Sequence, residues 1–540
     1  MPIRSVIKKA AALLLGGILM LSAFPVSAAK NDSIFAFEGT MEKETLRAYC
    51  SRAVSFAGFC AENCDPDPIF EEDLRMILRT GAKFIGRSAY YSWGGEMTNA
   101  QVEEHYRLAA ERAARAHEAD PELILQAGVF EIVYRGTVES TPVPAFVFEA
   151  FDLPVEERNF SYDDIVFTEG DYDVKKKYWG NDRSGVPDIT KTETQMYFYW
   201  QITRYIDAGF EAVHLGQAEL MANYDASRYK HWDKVTTLAR TYAEEHARRG
   251  IVLFDCHTNI ASGGMKVGNR LVCDIVAAGL VPNETEFLDG AYQCRICHYD
   301  DCWLQWIGRT AGGKHPLGFD IDVCFTILEF DNYGGNGNPG VATPDGFYNW
   351  GWDDITWFAM QPEEYRNRFL AECSEFLTGN CLDKEGNQVY FLQPSFRRVL
   401  TDTPTLTYEI RDPSSLSAVE AYLKTEKTEY SLDGNLLRMK VTKDYRANNP
   451  SDTCPNGFGQ EDAVRLIFLG ENAPDPAAYV KYLAGKETEP EAGETAPEAT
   501  DTKKAEEEKN TSLLLPVLLG IGAAAVIAAV TVLVLKKRKR

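Results

Sequence analysis

Apolar runs of strand length alternate with longer helix-like runs from about residue 50 to residue 395. Residues 53–59 predict a first strand, 70–79 a helix, 83–88 a second strand and 123–130 a third. The long helix at 100–118 lies between the second and third strands and carries Ala109, Ala110, Ala113, Ala114 and Ala116. A long irregular insertion rich in Asp, Tyr and Pro follows the third strand. An aromatic helix is then predicted at 193–208, a fourth strand at 212–216 and a helix at 229–249 ended by Gly250, a natural C-cap residue. The fifth strand is predicted at 251–255, a helix at 270–278, the sixth strand near 286–291 and a short helix at 302–310. The seventh strand is predicted at 325–330, a helix at 362–377 and the eighth strand at 389–392. Alternation of this kind builds βαβ units and a parallel sheet. Eight such units make an α/β fold of the (β/α)8 TIM-type barrel; an open doubly wound sheet is the alternative. No internal repeat is evident. Turn-rich, β-prone segments at 401–484 predict a small C-terminal β appendage or a barrel-covering segment.

The two ends carry different signals. Arg4, Lys8 and Lys9 precede an apolar run from Ala10 to Phe24, and small residues follow at Val26-Ser27-Ala28. That is the layout of a secretory signal peptide spanning 1–28. Leu513 to Leu535 contains no charge, and a helix of that length crosses a hydrocarbon core of ~30 Å. Lys536, Lys537, Arg538, Lys539 and Arg540 follow at once, so the positive-inside rule puts the tail in the cytoplasm. Between body and span, residues 485–512 are rich in Glu, Thr, Ala and Pro and nearly lack large apolar residues, which predicts a disordered acidic stalk. The expected order is therefore signal peptide, barrel at 29–400, segment 401–484, stalk, transmembrane helix at 513–535 and basic tail at 536–540. The body would lie outside the cell membrane. A Leu-Pro-x-Thr-Gly signal is absent, since Leu515-Pro516 runs into Val517, so a retained anchor is expected. Asn31, Asn159, Asn283 and Asn510 lie in Asn-x-Ser/Thr frames.

The net charge of −24 argues against nucleic acid and anionic lipid surfaces as partners. Aromatic residues make up 12% of the chain, with nine Trp, and several fall in polar, Gly-rich stretches where flat apolar faces suit sugar rings. Twelve Cys lie in the part expected outside, which predicts disulfides. They include one group at Cys50, Cys60 and Cys64 and another at Cys294, Cys297 and Cys302. The alternative for the second group is a zinc site with His298.

In a barrel, chemistry collects at the carboxyl ends of the strands. Those positions are polar and aromatic here: Tyr91 and Trp93 after the second strand, Glu131 after the third, and Gln217 and Glu219 after the fourth. Asp255, His257 and Asn259 follow the fifth, and Glu329, Asp331, Asn332 and Tyr333 the seventh. The stretch that follows adds Tyr348, Trp350, Trp352 and Trp357 beside Asp353 and Asp354. Aromatic faces beside planar polar groups suit a sugar. Glycosidic hydrolysis needs one carboxyl to protonate the leaving oxygen and another to act as nucleophile or to activate water. Glu219 is the candidate acid/base and Glu329 the candidate nucleophile. The alternative for a Glu at a strand end is an ion pair with a nearby Arg, and Arg87 and Arg204 are available. His214, within an apolar strand, reads as a core histidine.

Over about residues 50–395 this layout resembles the barrel glycoside hydrolases of the clan that places its acid/base Glu after the fourth strand and its nucleophile Glu after the seventh. That clan usually has Asn directly before the acid/base; this chain has Ala218, with Gln217 one step further back. The resemblance implies a glycosidase that cleaves a carbohydrate substrate with a Glu pair; together with the two end segments this reads as a membrane-anchored extracellular enzyme, with no metal or cofactor expected. Two alternatives stay open. One is a non-catalytic surface barrel that binds carbohydrate or peptide. The other is a metal-dependent hydrolase using Asp255 and His257, with His298, Asp300 and Asp301 as the nearest reinforcement.

Overall fold

The computed structural model describes residues 33–487 apart from 65–66, 92–94, 168–182, 224, 258–264, 280–282, 289–290, 296–310, 331–340, 343–347, 350–353, 360–362, 381–388, 399–405, 410–429, 434–435 and 440–443. The apolar runs at both ends of the chain, and with them the expected signal peptide and membrane span, lie outside the described residues. Among the described residues no helix is long and apolar enough to cross a membrane.

Eight parallel strands follow one another in chain order: β1 (Ala53–Phe56), β2 (Phe84–Tyr90), β3 (Ile124–Gly128), β4 (Ala212–His214), β5 (Leu253–His257), β6 (Ile275–Gly279), β7 (Phe325–Glu329) and β8 (Val389–Phe391). Each is hydrogen-bonded to the next. After Leu392 the chain continues as β9 (Gln393–Arg398), which pairs in parallel with β1. One run of chain therefore joins both edges, and the sheet returns on itself as an α/β barrel. Strands buried on both faces are near-continuously apolar, which is why these segments stand out in the sequence.

The principal helices are α1 (Lys43–Ser51), α2 (Phe70–Thr80), α3 (Asn99–Ala119), α4 (Thr192–Asp207), the single turn α5 (Ala218–Met221), α6 (Lys230–His246) and α7 (Glu363–Asn380). Thr98 and Gln101 close a reciprocal capping box at the start of α3, which fixes where that helix begins. Nearly every residue of α4 is buried. Its Phe198 stacks on Trp232 of α6 with ring centroids 5.4 Å apart, and burial of each such side chain stabilises by roughly 1.5–3 kcal/mol. Trp232 also donates from Nε1 to the Ala218 carbonyl at 2.9 Å, which ties α5 to the helix layer.

Three expectations are corrected. Residues 270–278 are not a helix: they form the short strand Arg270–Leu271 and most of β6. Ala277 and Ala278 favour a helix locally, but β6 is bonded on both edges and wholly buried, and tertiary pairing overrides propensity. The sixth barrel strand thus precedes 286–291, which falls in an antiparallel hairpin of Asn283–Leu288 and Ala291–Arg295. Between β5 and β7 the described residues hold no helix, and a four-stranded sheet of Lys266–Val267, Arg270–Leu271, Ala311–Lys314 and Asp320–Val323 stands there instead. The helix expected at 302–310 lies outside the described residues. Finally, the eight described cysteines, Cys50, Cys60 and Cys64 among them, are thiols and not disulfides. Cys50 and Cys60 are packed as small apolar side chains, and burial pushes both thiols up.

Beyond the barrel, Leu406–Glu409, Leu436–Met439 and Tyr430–Asp433 form a small antiparallel sheet. The strand β10 (Asp444–Arg446) then pairs antiparallel with β9. It is followed by helices α8 (Glu461–Leu469) and α9 (Ala477–Glu487). Arg75 and Arg79 of α2 both donate to Glu461, at 2.8 Å, and Arg446 pairs with Asp67 and Asp73, so residues 444–487 are clamped to the outside of the barrel.

Candidate active site

A buried polar cluster fills the carboxyl-end half of the barrel interior. It starts from an irregularity in β2. Ile85 pairs with Leu125, but the next pairing joins Ala89 to Ala127, so β2 carries two extra residues against β3. Such bulges re-aim side chains. Gly86 faces inward: a Cβ there would meet Gln126 Oε1 at 3.4 Å and the Val54 carbonyl at 3.3 Å. Regular alternation would turn Arg87 outward. Instead Arg87 adopts a φ of 56°, a left-handed conformation that costs a non-glycine residue roughly 1–3 kcal/mol, and its side chain joins the interior.

Three backbone groups at the bulge find partners outside the β2–β3 ladder. The Arg87 N–H donates to Gln126 Oε1 at 3.1 Å. Its carbonyl accepts from the Gly58 N–H at 3.1 Å, and the Ser88 carbonyl from Cys60 N–H at 2.7 Å. The bulge is thus a supported feature, as buried backbone polar groups require.

The Arg87 guanidinium reaches across the barrel. Nη2 forms a close ion pair with Glu329 Oε1. The same nitrogen lies 2.9 Å from His257 Nε2 and 3.4 Å from His214 Nε2. His257 Nε2 is also 3.0 Å from Glu329 Oε1. Glu329 closes β7 and is 1% exposed; His257 closes β5 and is the more accessible of the two. Behind them, Asp255 Oδ1 accepts from Gln126 Nε2 at 2.8 Å and lies 3.1 Å from His214 Nδ1. Burial holds His214 below its usual range, with Asp255 opposing and Arg87 adding to the effect. The partners select one neutral tautomer: a proton on Nδ1 faces the Asp255 carboxylate, and Nε2 is left to accept from Arg87.

The second group lies at the ends of β3 and β4. Glu131 is buried; its Oε2 accepts from the Gln217 N–H at 3.0 Å and its Oε1 from Gln217 Nε2 at 3.1 Å. Gly216 between them has a φ of 55°, and a Cβ there would fall 2.2 Å from Glu131 Oε2, so any side chain at this turn would be strained and would push Glu131 off Gln217. Glu219 follows on α5, half-buried, one turn beyond the strand.

Of the residues expected from the sequence, Glu329 and His257 meet in one cluster, and Gln217 meets Glu131 beside Glu219. Tyr91 does not face this interior. It is turned into the helix layer, edge-on to His105 and Tyr106 of α3 at 5.0 and 6.0 Å, because the chain leaving β2 bends toward α3. Trp93, Asn259, Asp331, Asn332, Tyr333, Trp350 and Trp352 lie outside the described residues. The sequence reading missed Gln126 as a site residue, had Arg87 only as a cation available to a strand-end Glu, and took His214 for a plain core histidine. The signal available was a polar side chain inside each of three otherwise apolar strands, in "FIGRSAY", "LILQAGVF" and "AVHLG".

A metal centre on Asp255 and His257 is not favoured, since the Arg87 guanidinium already stands as the cation among His214, His257 and Glu329. Among the described residues no group of three or more His, Cys, Asp or Glu could hold a metal ion.

No family model and no curated protein matches this chain. Solved structures give faint likenesses. A GH27 β-L-arabinopyranosidase from Geobacillus stearothermophilus is 10% identical over 74% of this chain and 95% of that one, with a TM-score of 0.31. A debranching enzyme from Nostoc punctiforme, soaked with acarbose, is 12% identical over 39% of this chain, with a TM-score of 0.24. The chain spans about half the length of that enzyme, 50%. A trehalulose synthase is 10% identical over 70% of this chain and 71% of that one, with a TM-score of 0.28. At such scores these likenesses carry no argument about the fold or activity of this chain.

Proposed function

We propose that the barrel mouth is a carbohydrate-processing site of a glycoside hydrolase. The observation that carries the reading is the buried Glu329 carboxylate at the carboxyl end of β7, held in one orientation by Arg87 and His257. A nucleophilic carboxylate must be ionised and aimed, and a guanidinium and an imidazole at hydrogen-bond distance supply both conditions. In this reading Glu329 attacks the anomeric carbon. Glu219, half-buried on α5 and so able to exchange protons with water, protonates the leaving oxygen and then activates water. Glu131 fixes Gln217, and through it the turn from which α5 starts.

One observation favours a second reading, a barrel that binds glycan or peptide without cleaving it: a carboxylate tied closely to a guanidinium is a weaker nucleophile. A turnover screen of the secreted body against aryl glycosides and polysaccharides decides between them. Glu329→Gln should abolish turnover while glycan binding persists, and Glu219→Gln should lower it by about 10²–10⁴-fold. Binding by the unmodified protein with no turnover on any member would favour the second reading. The body is further proposed to stand outside the cell membrane, released by a signal peptide and held by the span at 513–535 above an acidic stalk. Protease shaving of intact cells should release it; protection of the barrel from protease would count against that placement.

A further inference from the structure

Gln126 sits mid-strand in β3, 2% exposed, away from the strand ends where substrate would be handled. Its two amide atoms do different work. Oε1 accepts the N–H that the β2 bulge withdraws from the sheet, and Nε2 donates to Asp255. From Asp255 the path runs to His214 Nδ1, and from His214 Nε2 back to Arg87 Nη2. The ring begins at the backbone of Arg87 and ends at its guanidinium. Donation is consistent around it: Arg87 N–H to Gln126, Gln126 to Asp255, His214 to Asp255 and Arg87 to His214. One residue therefore anchors both the strained backbone and the tip of the same arginine.

We infer that Gln126 is a positioning residue that holds the Arg87 bulge in its left-handed conformation and, through Asp255 and His214, fixes the guanidinium on Glu329. The Gln126 amide spends its hydrogen bonds on the Arg87 backbone and on Asp255, so it acts on Glu329 through Arg87. The inference builds on the site described above but not on what that site does to a sugar. Any chemistry or binding centred on the Arg87–Glu329 pair would need the same support.

Two substitutions test it. Gln126→Leu removes both amide atoms at similar volume. The bulge N–H and Asp255 then lose a partner, and Arg87 is released to a relaxed backbone. Gln126→Glu keeps the acceptor but sets a second carboxylate against Asp255. The titratable and charged groups of the surrounding cluster are Arg87 from β2, His214 from β4, Asp255 and His257 from β5, and Glu329 from β7. At neutral pH the two carboxylates repel. At acid pH the introduced carboxyl group takes up a proton and can donate to Asp255 as the amide did, so this variant should recover as pH falls.

The readout is the ¹⁵N spectrum of labelled histidine in the full-length protein, which reports the His214 tautomer without any substrate. The unmodified protein should show His214 as a single Nδ1–H tautomer. In Gln126→Leu that signal should shift or split between tautomers. In Gln126→Glu it should be disturbed at neutral pH and return on acidification, with any turnover following the same profile. A loss of about 10- to 100-fold in kcat is expected where turnover is measurable, as for residues that orient catalytic groups from behind. His214 signals unchanged in both variants would overturn the inference, as would a disturbance in Gln126→Glu that acid does not reverse. If Gln126→Leu fails to fold, Gln126→Glu alone decides. Shifted spectra in a protein that turns over no glycan would sustain this inference and count against the glycosidase.

Discussion

The barrel holds a buried charge cluster at each end, and the two are built differently. At the amino end of the strands, Glu211 is fully buried and accepts from Arg249 Nε at 2.9 Å and Nη2 at 2.6 Å, and from Arg248 Nη2 at 2.7 Å. Arg249 also donates to Tyr49 Oη at 3.0 Å and to the Leu123 carbonyl at 3.2 Å. Nearby, Lys83 Nζ donates to Asp120 and Glu122, both at 2.7 Å. Forked guanidinium–carboxylate geometry and ordinary backbone mark a fastening that joins α1, the strand starts and the end of α6. At the carboxyl end, by contrast, one Arg87 nitrogen lies within hydrogen-bond distance of Glu329, His257 and His214, and its residue is held in a strained conformation. A cluster that only stabilised the fold would have no reason to keep strain and to crowd three partners onto one nitrogen. Strain retained beside a carboxylate at the barrel mouth points to use.

The largest effects should separate the two ends outright. Glu211→Ala leaves Arg248 and Arg249 without their counter-charge, and breaking a buried pair of this kind costs about 3–5 kcal/mol. Denaturant unfolding should show that loss, while turnover per folded molecule stays unchanged. Glu329→Gln should do the reverse, removing turnover with a smaller loss of stability. If Glu211→Ala instead cut turnover as deeply as Glu329→Gln, the division of labour between the ends would fail.

An intermediate effect comes from pH. His117 of α3 lies by the amino-end cluster, and burial with the nearby Arg248 and Arg249 lowers it to about 3. Its unfolded value is 6.5, so between pH 6.5 and about 3 the unfolded chain binds a proton that the folded one refuses. The stabilisation is complete above pH 6.5 and is lost on acidification through that window, by up to ~1.4 kcal/mol per pH unit. Melting temperature should fall as pH drops from 6.5 to 5, and His117→Asn should make the slope shallower, leaving the share of other buried histidines such as His105, which burial lowers to about 4. A slope unaltered by that change would place the acid sensitivity elsewhere.

What the sequence disclosed follows the same contrast. β1 to β5, β7 and β8 were legible because strands of a buried parallel sheet are nearly continuously apolar. Glu329 was legible because a charged residue ends such a run. β6 was not, since "IVAAG" contains as much helix as strand propensity and only its two neighbours decide. Arg87 was legible only as a cation available to a strand-end Glu, because its place in the site depends on a bulge: regular alternation puts it on the wrong face, and no local pattern announces two extra residues in a strand. Gln126 and His214 escaped for a related reason. Their meaning lies in partners on β2 and β5, 39 and 41 residues away in the chain. The cysteines misled because spacing and compartment allow a disulfide, while packing decided otherwise for those described.

The smallest effect is also the finest probe of the carboxyl end. Gly86 has an ordinary backbone conformation, so alanine is sterically allowed by the chain itself, and the loss of unfolded-state freedom favours it by about 0.4–1 kcal/mol. Against that, its Cβ would stand 3.3 Å from the Val54 carbonyl and 3.4 Å from Gln126 Oε1, tighter than most contacts. The carbonyl belongs to paired β1 and cannot yield; the amide of Gln126 can move by a few tenths of an ångström. Gly86→Ala should therefore change stability by about 1 kcal/mol or less, in either direction, yet lengthen the bond that holds the Arg87 N–H. A methyl group that leaves the melting temperature nearly untouched but shifts the His214 signal and lowers turnover would show that this end is tuned in position and not in stability. Equal and large losses of both would mean that Gly86 is needed only for packing, and the contrast between the two ends would narrow to strain at Arg87 alone.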